Sequence, residues 1–439
     1  MLKNRLREIK RRIEVALLRL QRSRRAPPAP AESSPVVRRL LILPSDPWTL
    51  VGAKGDEAMM QAVVQRLRRR APDLVVGVVA ATPRASQAAQ SLGFEPVAAW
   101  SGRLARSQRV VEAFAPDAVV VLGADVMDGY YSPVFTTRVL LMADAAARRG
   151  VRVTLLGFSF NDSPHPSLRP VFDGLARTIA VNVRDEISLA RFRAFCALPA
   201  RLVADAAFML EPDAGSERVA ALQTWTAVRR AAGDAILGFN LHPMLIKSAT
   251  TVQVQALVAA TVTALRSVAQ ERRVSVMLIP HDYRGALGDA TCLAPLRDAL
   301  GAELGDRLRL VEGSHTAAEL KALAGLTDGV VTGRMHLAIA SLGMGRPVAA
   351  LTYQDKFQGL FAHFDIPDRF LLGPHDLMAP GKLQAMVLGF IDRLPALQGQ
   401  VADRLEAVRQ AAERNLIGLA SPSPAASRQV QHVRDAAAR

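Results

Sequence analysis

Cysteine is nearly absent: Cys196 and Cys292 are the two in 439 residues, and they form neither a CxxC pair nor a zinc spacing. A disulfide framework is excluded by count, and a reducing compartment is the expectation. No apolar run reaches the roughly 20 residues needed to cross a bilayer. Charges interrupt the amino terminus throughout, so the continuous apolar stretch of a secretion signal is missing. A soluble, cytoplasmic protein is therefore expected. Also missing are the GxxxxGK[ST] phosphate loop, the GxSxG nucleophile elbow and HxxxH-like metal pairs, so neither a metal nor a resident cofactor is expected.

Acidic residues are in short supply, with 40 Asp and Glu against 55 Lys and Arg, a net charge of +15. Residues 1–25 hold ten of the Lys and Arg against Glu8 and Glu14, so eight of the fifteen charges sit in this tail. The rest are dispersed, and no aromatics interleave with them as on a nucleic-acid surface. Nucleic acid is not an expected partner.

The tail "MLKNRLREIKRRIEVALLRLQRSRR" places Leu2, Leu6, Ile9, Ile13, Ala16 and Leu20 at alternating steps of four and three. That spacing makes an apolar stripe on an otherwise basic helix. Such a helix suits an anionic membrane surface, making the protein peripheral on the inner face of a membrane. The same steps also fit a short coiled coil. "APPAPAESSP" reads as a linker, so residues 1–37 form a basic helix and Pro/Ala linker ahead of the folded body.

Beyond it, apolar runs such as "RRLLILP", "LVVGVVAA" and "DAVVVLG" alternate with helix-like segments. Continuous Val/Ile/Leu strands between helices imply parallel sheets covered on both faces. The alternation pauses at "LEPDAGSE" and resumes with "AILGFNL", "RVSVMLIP", "GVVTG" and "PVAALTY". The expectation is α/β: two doubly wound, Rossmann-like domains in a GT-B-like pair, residues 38–212 and 213–380. Residues 381–439 add a helical carboxy-terminal segment and tail that brace the two.

Doubly wound sheets bind ligands beyond the carboxyl ends of their strands. Unusual polar residues fall there repeatedly: Asp125 and Asp128, Arg184, Asn240 and His242, His281 and Asp282, Arg334 and His336, and Tyr353 and Lys356. "DGVVTGRMHLAIASLGMGRPVAALTYQDK" is the sharpest case. Gly333 permits a tight turn after "GVVTG", and the helix start that follows suits a phosphate. Arg334 offers a planar fork for oxyanions, and His336 titrates near neutrality. Local capping by Arg334 and a structural histidine are the alternatives. In "GAKGDEAMM", Asp56 reads first as a helix cap and second as a group that binds a sugar hydroxyl. Arg184 in "VNVRDEIS" has a local alternative as well, a pair with Asp185 or Glu186.

Taken in order, "GDEAMM", "VVVLGAD", "VNVRDEIS", "VADAAFML", "LIPHDY" and "GVVTGRMHLAIASLGMGRPVAALTYQDKFQGL" resemble the polysaccharide pyruvyl transferase family over roughly residues 38–370. The resemblance implies a GT-B-like fold. It also implies transfer of pyruvate from phosphoenolpyruvate, as co-substrate, to two hydroxyls of a sugar or lipid-linked saccharide, leaving a cyclic ketal and free phosphate. It carries donor-site roles onto Arg184, Arg334 and His336, and an acidic role onto Asp125. Chemically, a trianionic donor needs fixed cations, with Arg184, Arg334 and Lys356 the candidates. Proton transfer then needs an acid, His336, and a base, Asp125 or His281.

Two departures from the family pattern fall on the presumed acceptor side. Ala124 and Asp125 stand where the family shows a run of glycines, and Lys54 precedes the Gly55–Asp56 pair. Two other readings remain open: a nucleotide-sugar glycosyltransferase of the same fold, and a non-catalytic glycan-binding relative.

Overall fold

The computed structural model describes residues 2–20, 36–101, 103–352 and 356–419. The Pro/Ala linker, the tail beyond residue 419 and Tyr353 lie outside the described residues.

One sheet comprises β1 (Arg39–Leu43), β2 (Val75–Val79), β3 (Glu95–Val97), β4 (Ala118–Val121), β5 (Arg152–Phe158), β6 (Ala180–Val183) and β7 (Arg201–Leu202), in the order β3-β2-β1-β4-β5-β6-β7. The second comprises β8 (Ala235–Phe239), β9 (Val274–Leu278), β10 (Leu308–Leu310), β11 (Gly329–Thr332), β12 (Val348–Leu351) and β13 (Leu371–Leu372), in the order β10-β9-β8-β11-β12-β13. All the pairings within both sheets are parallel.

Burial on both faces explains the unbroken apolar runs. Every residue of "AVVV" in β4 and "GVVT" in β11 is buried. Along β1, Leu40 and Ile42 join one core cluster while Leu41 and Leu43 join another across the sheet, as the two-residue side-chain period requires.

Strand order reverses between β1 and β4 in the first sheet and between β8 and β11 in the second. At such switch points the flanking loops diverge and leave a crevice. Here the two crevices open onto one cleft, since an antiparallel bridge joins Ala53 to Asp282. It is flanked by Lys54 N–H donating to the His281 carbonyl (3.1 Å) and Tyr283 N–H donating to the Gly52 carbonyl (2.9 Å).

The carboxy-terminal helices Lys382–Ile391 and Leu394–Glu413 return the chain to the first domain. There the Asn415 side chain accepts from Gly157 N–H (2.7 Å) and donates to the Ala204 carbonyl (2.8 Å). Arg409 of the helix Leu394–Glu413 donates to the Gly343 carbonyl of the second domain (2.9 Å), so this segment touches both. The helix Thr251–Glu271 is long and apolar enough by composition to cross a bilayer. Its Leu257, Leu265 and Val268 are instead buried in the core of the second domain.

The amino-terminal helix Leu2–Leu20 docks on the helix Pro133–Ala147 of the first domain. It does so through Val15 and Leu18, which are buried, and through Glu8, which meets His165 Nε2 at 2.8 Å. The apolar stripe read from the sequence is not the docked face: Leu6, Ile9, Ile13 and Leu20 are exposed, as is Leu17.

Candidate active site

The cleft between the domains has a volume of about 470 Å³. From the first domain it is lined by Ser45, Trp48, Gly55, Asp56, Asp125, Tyr131 and Arg184, and from the second by His242, His281, Asp282, Arg284, Gly333, Arg334, His336 and Lys356. Of the residues singled out by sequence, all the catalytic and binding candidates except Asn240 line it.

Asn240 lies beneath the cleft, fully buried. Its amide nitrogen donates to the Ile279 carbonyl (2.9 Å) and to Asp289 (2.7 Å), which leaves it no donor for a ligand. Asp128 is not a lining residue either. Its carboxylate accepts from the backbone N–H groups of Tyr130 (2.8 Å) and Asn161 (3.3 Å) and shapes the loop after β4.

Arg334 follows β11 and Gly333 and precedes the helix Met335–Gly343, whose first turn opens onto the cleft. Its guanidinium is held by two carboxylates: Nε and Nη2 donate to Asp289 (2.8 and 2.6 Å), and Nη1 meets Asp282 at 3.1 Å. Asp282 also receives Arg284 (2.7 Å). Gly333 is needed for clearance, since a Cβ there would come within 2.6 Å of His242 Nε2.

Arg184 pairs with neither Asp185 nor Glu186. Its Nη1 donates to Asp205 (2.9 Å) and its Nε to Ser159 Oγ (2.7 Å). Asp185 caps the following helix instead, accepting from Ser188 N–H (2.7 Å). Asp205 also faces His336 Nε2 at 3.7 Å, so Arg184, Asp205 and His336 form one cluster across the domain boundary. Asp205 is buried and was visible in the sequence only as part of "VADAAFML". The His336 ring rests on Gly55 of the facing domain.

Beside this cluster, Lys356 donates to Asp125 (3.1 Å), and Tyr131 donates to the same carboxylate oxygen (3.2 Å). Burial alone would raise the Asp125 pKa, but Lys356 and then Arg184 hold it at about 2. Ala124, beside it, has φ of +43°, a left-handed conformation in which an alanine is strained.

Asp56 is not a helix cap. Its helix begins at Lys54 with Ala53 in the cap position, so Asp56 already sits in the first turn. There it accepts from Ser45 Oγ (2.6 Å) and from Asp46 N–H (3.1 Å). Burial raises its pKa to about 7, against the lowering effect of Ser45 and with help from the nearby Asp46 charge. His242, His281 and His336 are all shifted downward by burial first. Neighbouring Arg334 adds to the shift at His242, His336 and Arg334 at His281, and Arg184 at His336, where Asp205 opposes it. These imidazoles are therefore neutral at neutral pH. Among the described residues, no three His, Cys, Asp or Glu are grouped to hold a metal ion.

Two facing doubly wound domains with the polar site between them define a GT-B-like protein, the fold expected from the sequence. Solved structures with this architecture are similar over nearly their whole length. The UDP-GlcNAc 2-epimerase of Neisseria meningitidis, bound to UDP-GlcNAc, matches at 13% identity, covering 87% of this chain and 99% of that one with a TM-score of 0.54. The S. aureus MnaA–UDP structure matches at 14% identity, with 88% and 99% covered and a TM-score of 0.54. At such identities the likeness speaks for the fold alone.

The family model of polysaccharide pyruvyl transferase matches residues 54–355, and the chain belongs to that family. It is accordingly a transferase acting on polysaccharide. The matched span includes Asp56, Asp125, Arg184, His281, Arg334 and His336, and ends one residue before Lys356.

Proposed function

We propose that the cleft transfers pyruvate from phosphoenolpyruvate to two hydroxyls of a saccharide as a cyclic ketal. The observation that carries this reading is the Arg184–Asp205–His336 cluster at a helix amino terminus, with Asp56 on the facing wall. A helix start and fixed cations suit a small polyanion. Lys356 is the cation to meet the phosphate, exchanging its Asp125 partner for it, and Arg184 the one to meet the carboxylate.

The proton inventory fits the chemistry. Burial favours a neutral His336, but a trianion beside it favours the charged imidazolium, so donor binding loads the acid. His336 then protonates the methylene carbon of the enol, and the neighbouring carbon becomes electrophilic. The first sugar hydroxyl adds there and gives its proton to Asp56. The carbon–oxygen bond to phosphate then breaks, the second hydroxyl closes the ketal, and its proton leaves with phosphate.

Asp125, held at about 2, is too weak a base for these hydroxyls. Asp56, at about 7, is matched to the task. Trp48 and Tyr131, both exposed on the first-domain wall, offer ring faces to the acceptor sugar.

The test is phosphate release from phosphoenolpyruvate across a panel of saccharides, with His336→Asn and Asp56→Asn alongside. Equimolar phosphate and ketal from the wild type, lost in both variants, is the expected result. Undiminished turnover in His336→Asn contradicts it.

A further inference from the structure

The exposed face of the amino-terminal helix is not accounted for by the reaction or by the fold. Leu6, Ile9, Ile13 and Leu17 are 58%, 54%, 54% and 52% exposed and Leu20 is 80% exposed, although the helix is already docked through Val15 and Leu18. At about 100° per residue these five side chains fall within an arc of roughly 80°. Lys10 lies about 20° beyond one edge of the arc and Arg12 about 60° beyond the other. Lys10 and Arg12 are largely exposed, at 77% and 63%, and their carboxylate partners Glu14 and Glu8 are on the same helix. Exposed pairs of this kind are weak and leave the positive potential of the helix in place.

We infer that this face docks on an anionic membrane surface. An apolar strip between two basic borders is the cross-section of a helix lying in a lipid interface, with aliphatic side chains below and cations at the headgroups. Anionic lipid supplies the complementary charge, and the ten Lys and Arg of residues 1–25 add to the attraction. A second copy of the chain fits less well, because pairing two such strips sets basic border against basic border.

The docked helix also sits beside the cleft mouth. Glu8 holds His165, whose N–H donates to the Asp128 carbonyl (2.8 Å), and Asp128 lies three residues beyond the cleft-lining Asp125. The helix supporting it begins after Ser132, another lining residue. Membrane docking therefore brings the Tyr131 wall close to the lipid surface. A lipid-linked saccharide is the acceptor this favours, a corollary that rests on the proposed reaction while the docking itself does not.

The experiment is co-sedimentation of the full chain with phosphatidylcholine vesicles, with and without about one-quarter phosphatidylglycerol. Ile9→Asn/Ile13→Asn and Lys10→Gln/Arg12→Gln/Arg19→Gln are compared, and all proteins are checked by thermal melting and gel filtration. The expected result is salt-sensitive binding to the anionic vesicles, reduced roughly tenfold or more in each variant with melting unchanged. Absence of wild-type binding, or undiminished binding by the charge variant, overturns the inference. A wild-type dimer that Ile9→Asn/Ile13→Asn converts to monomer overturns it too, by showing that a second copy covers the face.

Discussion

The His336 imidazole lies directly against the Cα of Gly55 in the opposite domain, so that a Cβ at residue 55 would come within 2.6 Å of Cγ and closer still to Nδ1. A rigid ring on one domain and a helical backbone on the other leave little room to yield. Gly55→Ala is therefore expected to displace His336 and lower turnover about a hundredfold. Alanine favours a helix by about 1 kcal/mol, which works against any loss of stability. Steady-state kinetics with a melting scan checks this; unchanged turnover shows that the contact does not position His336.

Asp56 should give the protein a recognisable pH response. Its folded pKa, about 7, lies above the ordinary carboxyl value, so the folded state holds that proton more tightly than the unfolded chain does. The sign follows: stability from this group is complete at acidic pH and is lost as pH rises towards 7. Asp56→Asn is expected to raise the melting temperature at pH 8 and change it little at pH 4. In the wild type, kcat/KM should rise with pH through about 7, and the variant should lose that limb along with most of its activity.

The Asp125–Lys356 ion pair occupies the position assigned to donor phosphate. Asp125→Asn removes the competing carboxylate and should tighten phosphoenolpyruvate binding by about tenfold, while Lys356→Met should weaken it by at least as much. Calorimetric titration of both variants decides this. Equal affinities in the two place the phosphate elsewhere.

Ala124 occupies a left-handed position where the family resemblance calls for glycine. Relief of that strain outweighs the entropy a glycine adds to the unfolded chain, so Ala124→Gly should stabilise the protein by about 0.5–1 kcal/mol. Chemical denaturation measures it, and a net loss shows that the loop depends on the alanine methyl.

The fold was legible because buried parallel strands write themselves as unbroken apolar runs, as "AVVV" and "GVVT" do, with polar residues marking where each strand meets the cleft. Position was readable in this way, but partnership was not. Arg184 sits next to two acids in sequence and yet pairs with Asp205, twenty-one residues on. Arg334 and Arg284 share Asp282, and Asn240 serves Asp289 rather than a ligand, because the loops after β8, β9 and β11 converge only in the folded sheet. Asp56 follows the sequence rule for a cap, but the helix starts three residues earlier than such a cap requires and Ser45 claims its carboxylate. The stripe of the first helix was visible at once. Which face docks was not, since Val15 and Leu18 are too few to make a pattern.

The proposed reaction depends on donor binding, which can be measured without knowing the acceptor. Purified protein would be titrated with phosphoenolpyruvate and, separately, with UDP-GlcNAc by calorimetry, with Lys356→Met as the control. A saturating donor at about a hundred times its dissociation constant should also stabilise the fold by about 2.7 kcal/mol in a parallel melting experiment. The proposed reaction requires that phosphoenolpyruvate binds, that UDP-GlcNAc does not, and that the Lys356 variant loses the former. Binding of the nucleotide sugar in place of phosphoenolpyruvate contradicts it.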